Sequence, residues 1–285
     1  MSDTERDLVL VTGGTGTLGR EVVAGLHSAG RRVRVLSRHP RPESDGVEYT
    51  IGDLGTGEGV AAAVEGAAVI VHCAGTGTSD EQLTRRLVEA ARAAGSPHML
   101  FISVVGADRV PGARGIDRMM FRYFDEKLRA EQVVATSGLP WSTLRATQFH
   151  TLILTVSSWI AKLPVALLPA GMRFQPVAAR EVAERLVELA MGAQQGLVDE
   201  MGGPHALTTR ELFESFIAAT GRRRRPIISI PLPGRGARAI REGANLCLDQ
   251  ATGRQTWAEF LAARRRPAAA PGPASNGSRL EPGPQ

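Results

Sequence analysis

Residues 8–26 read LVLVTGGTGTLGREVVAGL, and their order decides the fold. Four apolar residues, Leu8 to Val11, run into a loop holding Gly13, Gly14, Gly16 and Gly19. Beyond the loop Leu18, Val22, Val23 and Leu26 recur at helical spacing, so the stretch reads strand, turn, helix, with one helix face turned to a sheet. The glycines therefore fall at a helix N-terminus. There unpaired backbone N–H groups and the positive end of the helix dipole favour an anion, and missing side chains let a pyrophosphate approach the backbone. Gly14-x-Gly16-x-x-Gly19 matches the general dinucleotide fingerprint. No Lys-Ser or Lys-Thr follows the last glycine, which excludes a P-loop.

Outward from this unit the chain alternates between two periodicities. RRVRVLSR (31–38) reads as a second strand, VEYTIGDL (47–54) as a third closing on Asp53, and GVAAAVEGA (59–67) as a short helix. AAVIVHCAG (67–75) gives a fourth strand, and Leu83, Leu87, Val88 and Ala91 mark another amphipathic helix. HMLFIS (98–103) is a fifth strand, 118–137 a long helix and WSTLRA (141–146) a sixth strand. This rhythm predicts an α/β fold, a Rossmann-type doubly wound parallel sheet with helices on both faces. Ligands in such sheets bind beyond the carboxyl ends of the strands, which here read Gly13, Ser37-Arg38, Asp53, Ala74-Gly75, Ser103 and Thr147.

The end of the second strand bears on cofactor choice. An NAD site wants an acid there for the adenosine ribose, yet no Asp or Glu occurs between Glu21 and Glu43. Arg38 suits the 2′-phosphate of NADP through charge-assisted contacts; the alternative is one more exposed arginine in an arginine-rich chain. NADP(H) is the expected cofactor, ahead of NAD(H).

Composition frames this. With 285 residues, 43% of them hydrophobic, the chain can bury a substantial core. Cys73 and Cys247 cannot make a disulfide framework, and no signal segment precedes the first strand, so a reducing, cytoplasmic setting is expected. The net charge of +5 comes almost wholly from arginine, with only Lys127 and Lys162 as lysines. Neither basic run, GRRRR (221–225) or ARRRP (263–267), is interleaved with aromatics, so both read as solvated surface and no nucleic-acid partner is expected. TLILTVSSWIAKLPVALLP (151–169) is broken by Lys162 and Pro164, too short for a span; it reads as a buried helix and loop walling an apolar pocket, without stable membrane insertion. The histidines show no metal-ligand spacing; His150 either reaches the pocket or is structural, and Cys73 reads as a small buried hydrophobe.

YFDEK places Tyr123 and Lys127 four apart, on one face of the long helix, in a chain with two tyrosines and two lysines. With Thr12-Gly13-x-x-Gly16-x-x-Gly19, this makes the chain resemble the short-chain dehydrogenase/reductase superfamily, and more closely its atypical, NmrA-like NAD(P)-binding branch. The resemblance runs over about residues 6–263, through FISVVGADRVP, KLRAEQVVATSGLPWSTLRATQF, FQPVAAREVAERL, MGGPHALTTRELFESFIAATGRRRRP and TWAEFL. It implies a Rossmann core over 1–146 and a carboxyl-terminal part over 147–263 completing the sheet and forming a substrate lobe; beyond it, a composition of mostly Pro, Ala, Gly and Ser predicts a disordered tail over 264–285. It also implies cofactor contacts from Gly13, Thr15, Gly16, Thr17, Leu18 and Gly19, from Ser37 and Arg38, from Asp53 and Leu54 beside the adenine, from Ala74, Gly75 and Thr76 along the middle, and from Thr147 and Phe149 near the nicotinamide.

In that superfamily a tyrosine exchanges a proton with the substrate oxygen while hydride moves at the nicotinamide, and a lysine holds the ribose and favours the phenolate. The resemblance gives these roles to Tyr123 and Lys127. Ser103 either orients the substrate or only touches cofactor, with Val105 standing where the catalytic hydroxyl should be. Three functions are compatible with this pattern: an oxidoreductase acting on a small apolar carbonyl, alcohol or quinone; a non-catalytic NADP sensor working through a protein partner; and a cofactor-stabilised assembly subunit.

Overall fold

The computed structural model of the chain describes residues 8–42, 46–111 and 116–265; the expected tail lies outside them beyond position 265. The first part runs β1 (Leu8–Thr12), α1 (Thr17–Ser28), β2 (Arg32–Ser37), β3 (Val47–Ile51), α2 (Val60–Val64), β4 (Val69–His72), α3 (Asp80–Ala93), β5 (His98–Val104), α4 (Ile116–Ala135) and β6 (Trp141–Ala146). Then come α5 (His150–Ile160), β7 (Ala166–Pro169), β8 (Arg173–Phe174), α6 (Ala179–Met191), β9 (Gly196–Leu197), β10 (Leu207–Thr208), α7 (Thr209–Thr220), β11 (Ile227–Ile230), α8 (Arg235–Arg241) and α9 (Trp257–Arg265).

Seven strands form one parallel sheet in the order β3-β2-β1-β4-β5-β6-β9. The expected doubly wound sheet is borne out. Its strand order reverses between β1 and β4, the place where such sheets open a crevice for ligands. Both faces are covered, and the central strands β1, β4 and β5 are accordingly near-continuous apolar runs. Val9 and Val11 pack with Leu18, Val22 and Leu26 of α1 and with Val182, Leu186 and Leu189 of α6. Leu10, between them, points to the opposite face, among Val60 and Val64 of α2, Leu83 and Leu87 of α3 and Val134 of α4.

A buried cation knits the far side. Arg145 on β6 donates to both oxygens of Glu131 at 2.9 and 2.7 Å and lies 2.8 Å from Asp108. Burial disfavours the Asp108 carboxylate, but the guanidinium outweighs this and holds the carboxyl below the usual range.

The remaining elements gather around α7, whose start carries a reciprocal cap: Thr208 Oγ1 accepts from Glu211 N–H, and the Glu211 carboxylate accepts from Thr208 N–H. Phe213 and Phe216 of α7 form a separate core with Ile153 of α5, Leu168 of β7 and Trp257 of α9. Residues 151–169 differ from the expectation of a buried helix and loop. Val156 and Trp159 on α5 are 40% and 64% exposed, and 166–169 forms a strand paired in parallel with β11. The strand escapes local reading because its partner lies some sixty residues away.

Candidate active site

The glycine loop leaves β1 at Gly13, whose φ of +69° and close approach to the Ala74 backbone leave no room for a side chain. A Cβ on Gly19 would lie 2.1 Å from Gly13 O, so α1 can start this close to β1 only with glycine there. Gly16 is the N-cap of α1 and supplies no side-chain cap, leaving the first helical N–H groups facing the crevice. These features suit a pyrophosphate, as does the exposure of Thr15, Gly16 and Thr17.

A cleft of about 580 Å³ starts at this loop and continues across the carboxyl ends of β4, β5 and β6. It brings together Gly13, Gly16, Thr17, Leu18 and Gly19 with Gly75 and Thr76, with Ser103, with Tyr123 and Lys127, and with Thr147 and Phe149. Thr15, Ser37, Arg38, Asp53, Leu54 and Ala74 do not line it. Leu54 is a core residue, 6% exposed, and Ser37 Oγ donates to His39 O at 2.8 Å. Arg38 is exposed, and the register Thr12↔Leu36 sets it beside the start of the glycine loop. Asp53, past the end of β3, accepts from Gly55 N–H at 2.7 Å.

Lys127 is held from two sides. Its Nζ donates to Ile102 O at 3.2 Å and lies 3.2 Å from Asp80 Oδ2, over the Phe101 ring. Asp80 in turn accepts from the N–H groups of Thr76 and Gly77 at 2.7 and 2.9 Å. Burial works against its charge, but Lys127 and these two donors outweigh it and keep the carboxyl below the ordinary range. Sequence reasoning missed Asp80. The only signal is a Ser-Asp pair at the start of a helix, which reads as a cap.

Tyr123 lies against Gly77 and edge-on to Phe124. Desolvation in the cleft pushes its phenol above the ordinary tyrosine value; Lys127 pulls the other way, and Asp80 adds to the rise. Ser103 is buried, lines the cleft, and its hydroxyl has no hydrogen-bond partner. Val105 is fully buried and does not line the cleft. An orphaned hydroxyl in the same cleft as a tyrosine and a fixed lysine is chemically suited to hold an oxygen atom of a ligand.

The other titratable neighbours are inert. His72 bridges Thr12 and Thr84 at 2.7 and 3.0 Å, and burial, reinforced by Lys127, lowers its pKa to about 3. Burial raises the Cys73 thiol to about 12, too high for a nucleophile. His150 stacks on Phe260 with ring centres 4.9 Å apart and stays outside the cleft, its pKa lowered to about 4 by burial. The far wall is apolar, built by Phe121, Leu152, Met172, Phe174 and Leu232. These residues come from four separate segments, so no local pattern announces them.

A family described as NAD(P)H-binding matches residues 13–152. The chain is 30% identical over 222 residues to a (4-alkanoyl-5-oxo-2,5-dihydrofuran-3-yl)methyl phosphate reductase of Streptomyces griseus, covering 75% of this chain and 74% of that one. It is 27% identical over 221 residues to an NAD(P)H azoreductase of Xenophilus azovorans, with the same coverage of 75% and 74%. Among solved structures, an NADPH-dependent quinone oxidoreductase of Escherichia coli in complex with NADPH superposes with a TM-score of 0.74 at 18% identity, over 90% of this chain and 100% of that one, a likeness of fold. With the glycine loop, the reversed strand order and the Tyr123–Lys127 pair in one cleft, the chain belongs to the NAD(P)H-binding family, within the atypical, NmrA-like branch of the short-chain dehydrogenase/reductase superfamily, and is an NAD(P)-dependent oxidoreductase.

Proposed function

We propose that the protein is an NADPH-dependent reductase of a small apolar carbonyl compound or quinone, with Tyr123 as the proton donor. The observation that carries the reading is the single cleft that joins the phosphate-binding loop to Tyr123, Lys127 and the unpartnered Ser103 hydroxyl, under an apolar wall. The nicotinamide, when bound, supplies the hydride. Ser103 holds the acceptor oxygen, and the Tyr123 hydroxyl delivers its proton to that oxygen as negative charge builds there. The phenol, held above its ordinary pKa, is protonated at neutral pH and so has a proton to give to the acceptor oxygen. Lys127, anchored by Asp80, lines the cleft and serves the ribose and the phenol. The apolar wall accepts rings or short chains and excludes water from the reacting oxygen. Relatives named as reductases of a dihydrofuranone phosphate and of azo compounds support hydride delivery to an electrophilic acceptor.

NADPH preference is supported by Arg38 beside the loop and by the absence of an acid at the end of β2. A lost charge-assisted phosphate contact costs about 1.5–3 kcal/mol. Arg38→Ala therefore weakens NADPH roughly ten- to a hundredfold and NADH little, by fluorescence titration of both. Equal weakening of the two would remove Arg38 from the phosphate.

Turnover is tested by NADPH oxidation across aldehydes, ketones and quinones. Tyr123→Phe is expected to slow the best substrate at least about a hundredfold while leaving NADPH affinity within about threefold. A wild-type protein that binds NADPH tightly and oxidises it with none of these acceptors would sink the reductase reading in favour of a cofactor sensor.

A further inference from the structure

The outward stripe of α5 is apolar where a solvated helix would be polar. Leu152, Val156 and Trp159, spaced by four and three residues, are 52%, 40% and 64% exposed, and Leu163 just past the helix is 46% exposed. Across the cleft mouth, Leu167 of β7 and its register partner Ile228 of β11 are 47% and 53% exposed. Leu152 and Pro169 both line the cleft. From that mouth apolar surface runs outward along α5 to Trp159, and along β7 from Pro169 back to Leu167, two residues away on the same face.

Cations rim this surface. Lys162 is exposed beside Leu163, and Arg222, Arg223 and Arg224 are exposed on the segment that leads into β11. Arg225 Nε donates to Ala161 O at 2.8 Å, which ties the arginine run to the end of α5. The nearest acids on α7 are engaged: Glu214 pairs with Arg210 at 3.2 Å, and Glu211 caps its own helix. A second copy of the chain in a two-fold contact would bring these cations face to face. A layer of apolar chains under phosphates complements both halves of the surface, with a tryptophan at the boundary between them.

We propose that this face docks the protein on an anionic lipid surface, Trp159 and Leu163 entering the headgroup boundary and Lys162 and Arg222 to Arg224 meeting lipid phosphates. The cleft mouth at Leu152 then opens onto the lipid, and the substrate is a lipid-dissolved carbonyl or quinone. That corollary rests on the reductase reading; the docking does not.

The test is co-sedimentation of the full chain, with NADPH, on phosphatidylcholine vesicles with and without roughly one third phosphatidylglycerol. Binding is expected to be at least about tenfold tighter on the anionic vesicles and to weaken as salt rises. Charge reversal of Arg222, Arg223 and Arg224 to Glu, or the pair Trp159→Ser and Leu163→Ser, is expected to lose at least about tenfold while NADPH affinity, read separately, stays unchanged. Should a variant fail to fold, the wild-type emission decides. Trp141 is half-buried and Trp257 buried, so a blue shift on anionic vesicles reports Trp159. No binding, equal binding to both vesicles, or no emission shift would overturn docking. So would a wild-type dimer that Trp159→Ser dissociates, which would give the face to a second copy. An inactive protein that still binds vesicles would count against the reductase reading alone.

Discussion

A lysine 5% exposed to solvent has to be neutralised where it stands, and Asp80 does this for Lys127 while its carboxylate also gathers two backbone N–H groups of the 76–77 turn. One carboxylate thus fixes the lysine and a loop that lines the cleft. It also offsets the pull of Lys127 on Tyr123, since the two charges act on the phenol in opposite directions. Asp80→Asn keeps an acceptor for the turn but removes the charge. We expect it to destabilise the protein on the order of 3 kcal/mol, read by urea denaturation, because a buried cation loses its counter-charge. In a protein that still turns over, the alkaline limb of the pH–rate profile should move to lower pH, since Lys127 then acts on the phenol unopposed. An unmoved limb with lower stability would make Asp80 purely structural. Tyr123, Lys127 and Ser103 were legible as residues in the sequence because each belongs to a spaced motif or a strand end. Asp80 was not, since its role exists only once α3 and α4 pack together.

At the scale of elements, legibility followed the range of the interactions. The strands β1 to β6 were readable because each carries apolar residues, in a run or in alternation, between turn residues, and WSTLRA matches β6 residue for residue. The third strand ends at Ile51, two residues before Asp53, because Gly52 and Asp53 bond to Ser37 and Glu58 in a turn. Strands β7 and β11 were not readable, since neither has a partner within forty residues. The glycine loop shows the opposite extreme, where a single atom decides an element. With Gly13 O only 2.1 Å from any Cβ at position 19, and backbone rather than a flexible side chain in the way, Gly19→Ala must push α1 off β1. The expected result is a lower melting temperature together with NADPH affinity reduced at least about tenfold, by thermal denaturation and titration. An alanine variant with unchanged affinity would mean that the helix N-terminus does not hold the phosphates.

Among the described residues burial lowers the pKa of three histidines, His98 and, furthest, His72 and His150. His72 binds its proton only near pH 3 and His150 only near pH 4, against an ordinary value of 6.5, in both cases chiefly because burial disfavours the charge. Between these limits the unfolded chain takes up more protons than the folded one, so stability is complete above about pH 6.5 and falls as the pH drops toward 4. The slope approaches on the order of 1 kcal/mol per histidine per pH unit. Urea midpoints at a series of pH values between 7.5 and 4.5 read it directly. A loss that starts only below about pH 4 would assign acid sensitivity to Asp80 and Asp108 instead, whose carboxyls are held below their ordinary range.

The seventh strand has a temporal consequence. Residues 8–146 contain six of the seven sheet strands, yet the outer edge of β6 pairs with β9 and the apolar stripe of α1 is covered by Val182, Leu186 and Leu189 of α6. During synthesis the amino-terminal half therefore emerges from the ribosome with one helix uncovered and one strand edge open, and it waits some fifty residues for the segment that closes both. Order of translation and order of packing are out of step in this chain. Its nascent form is the state in which an exposed edge and an uncovered helix meet other molecules, and a chaperone that shields them needs to act only until residue 197 has cleared the exit tunnel.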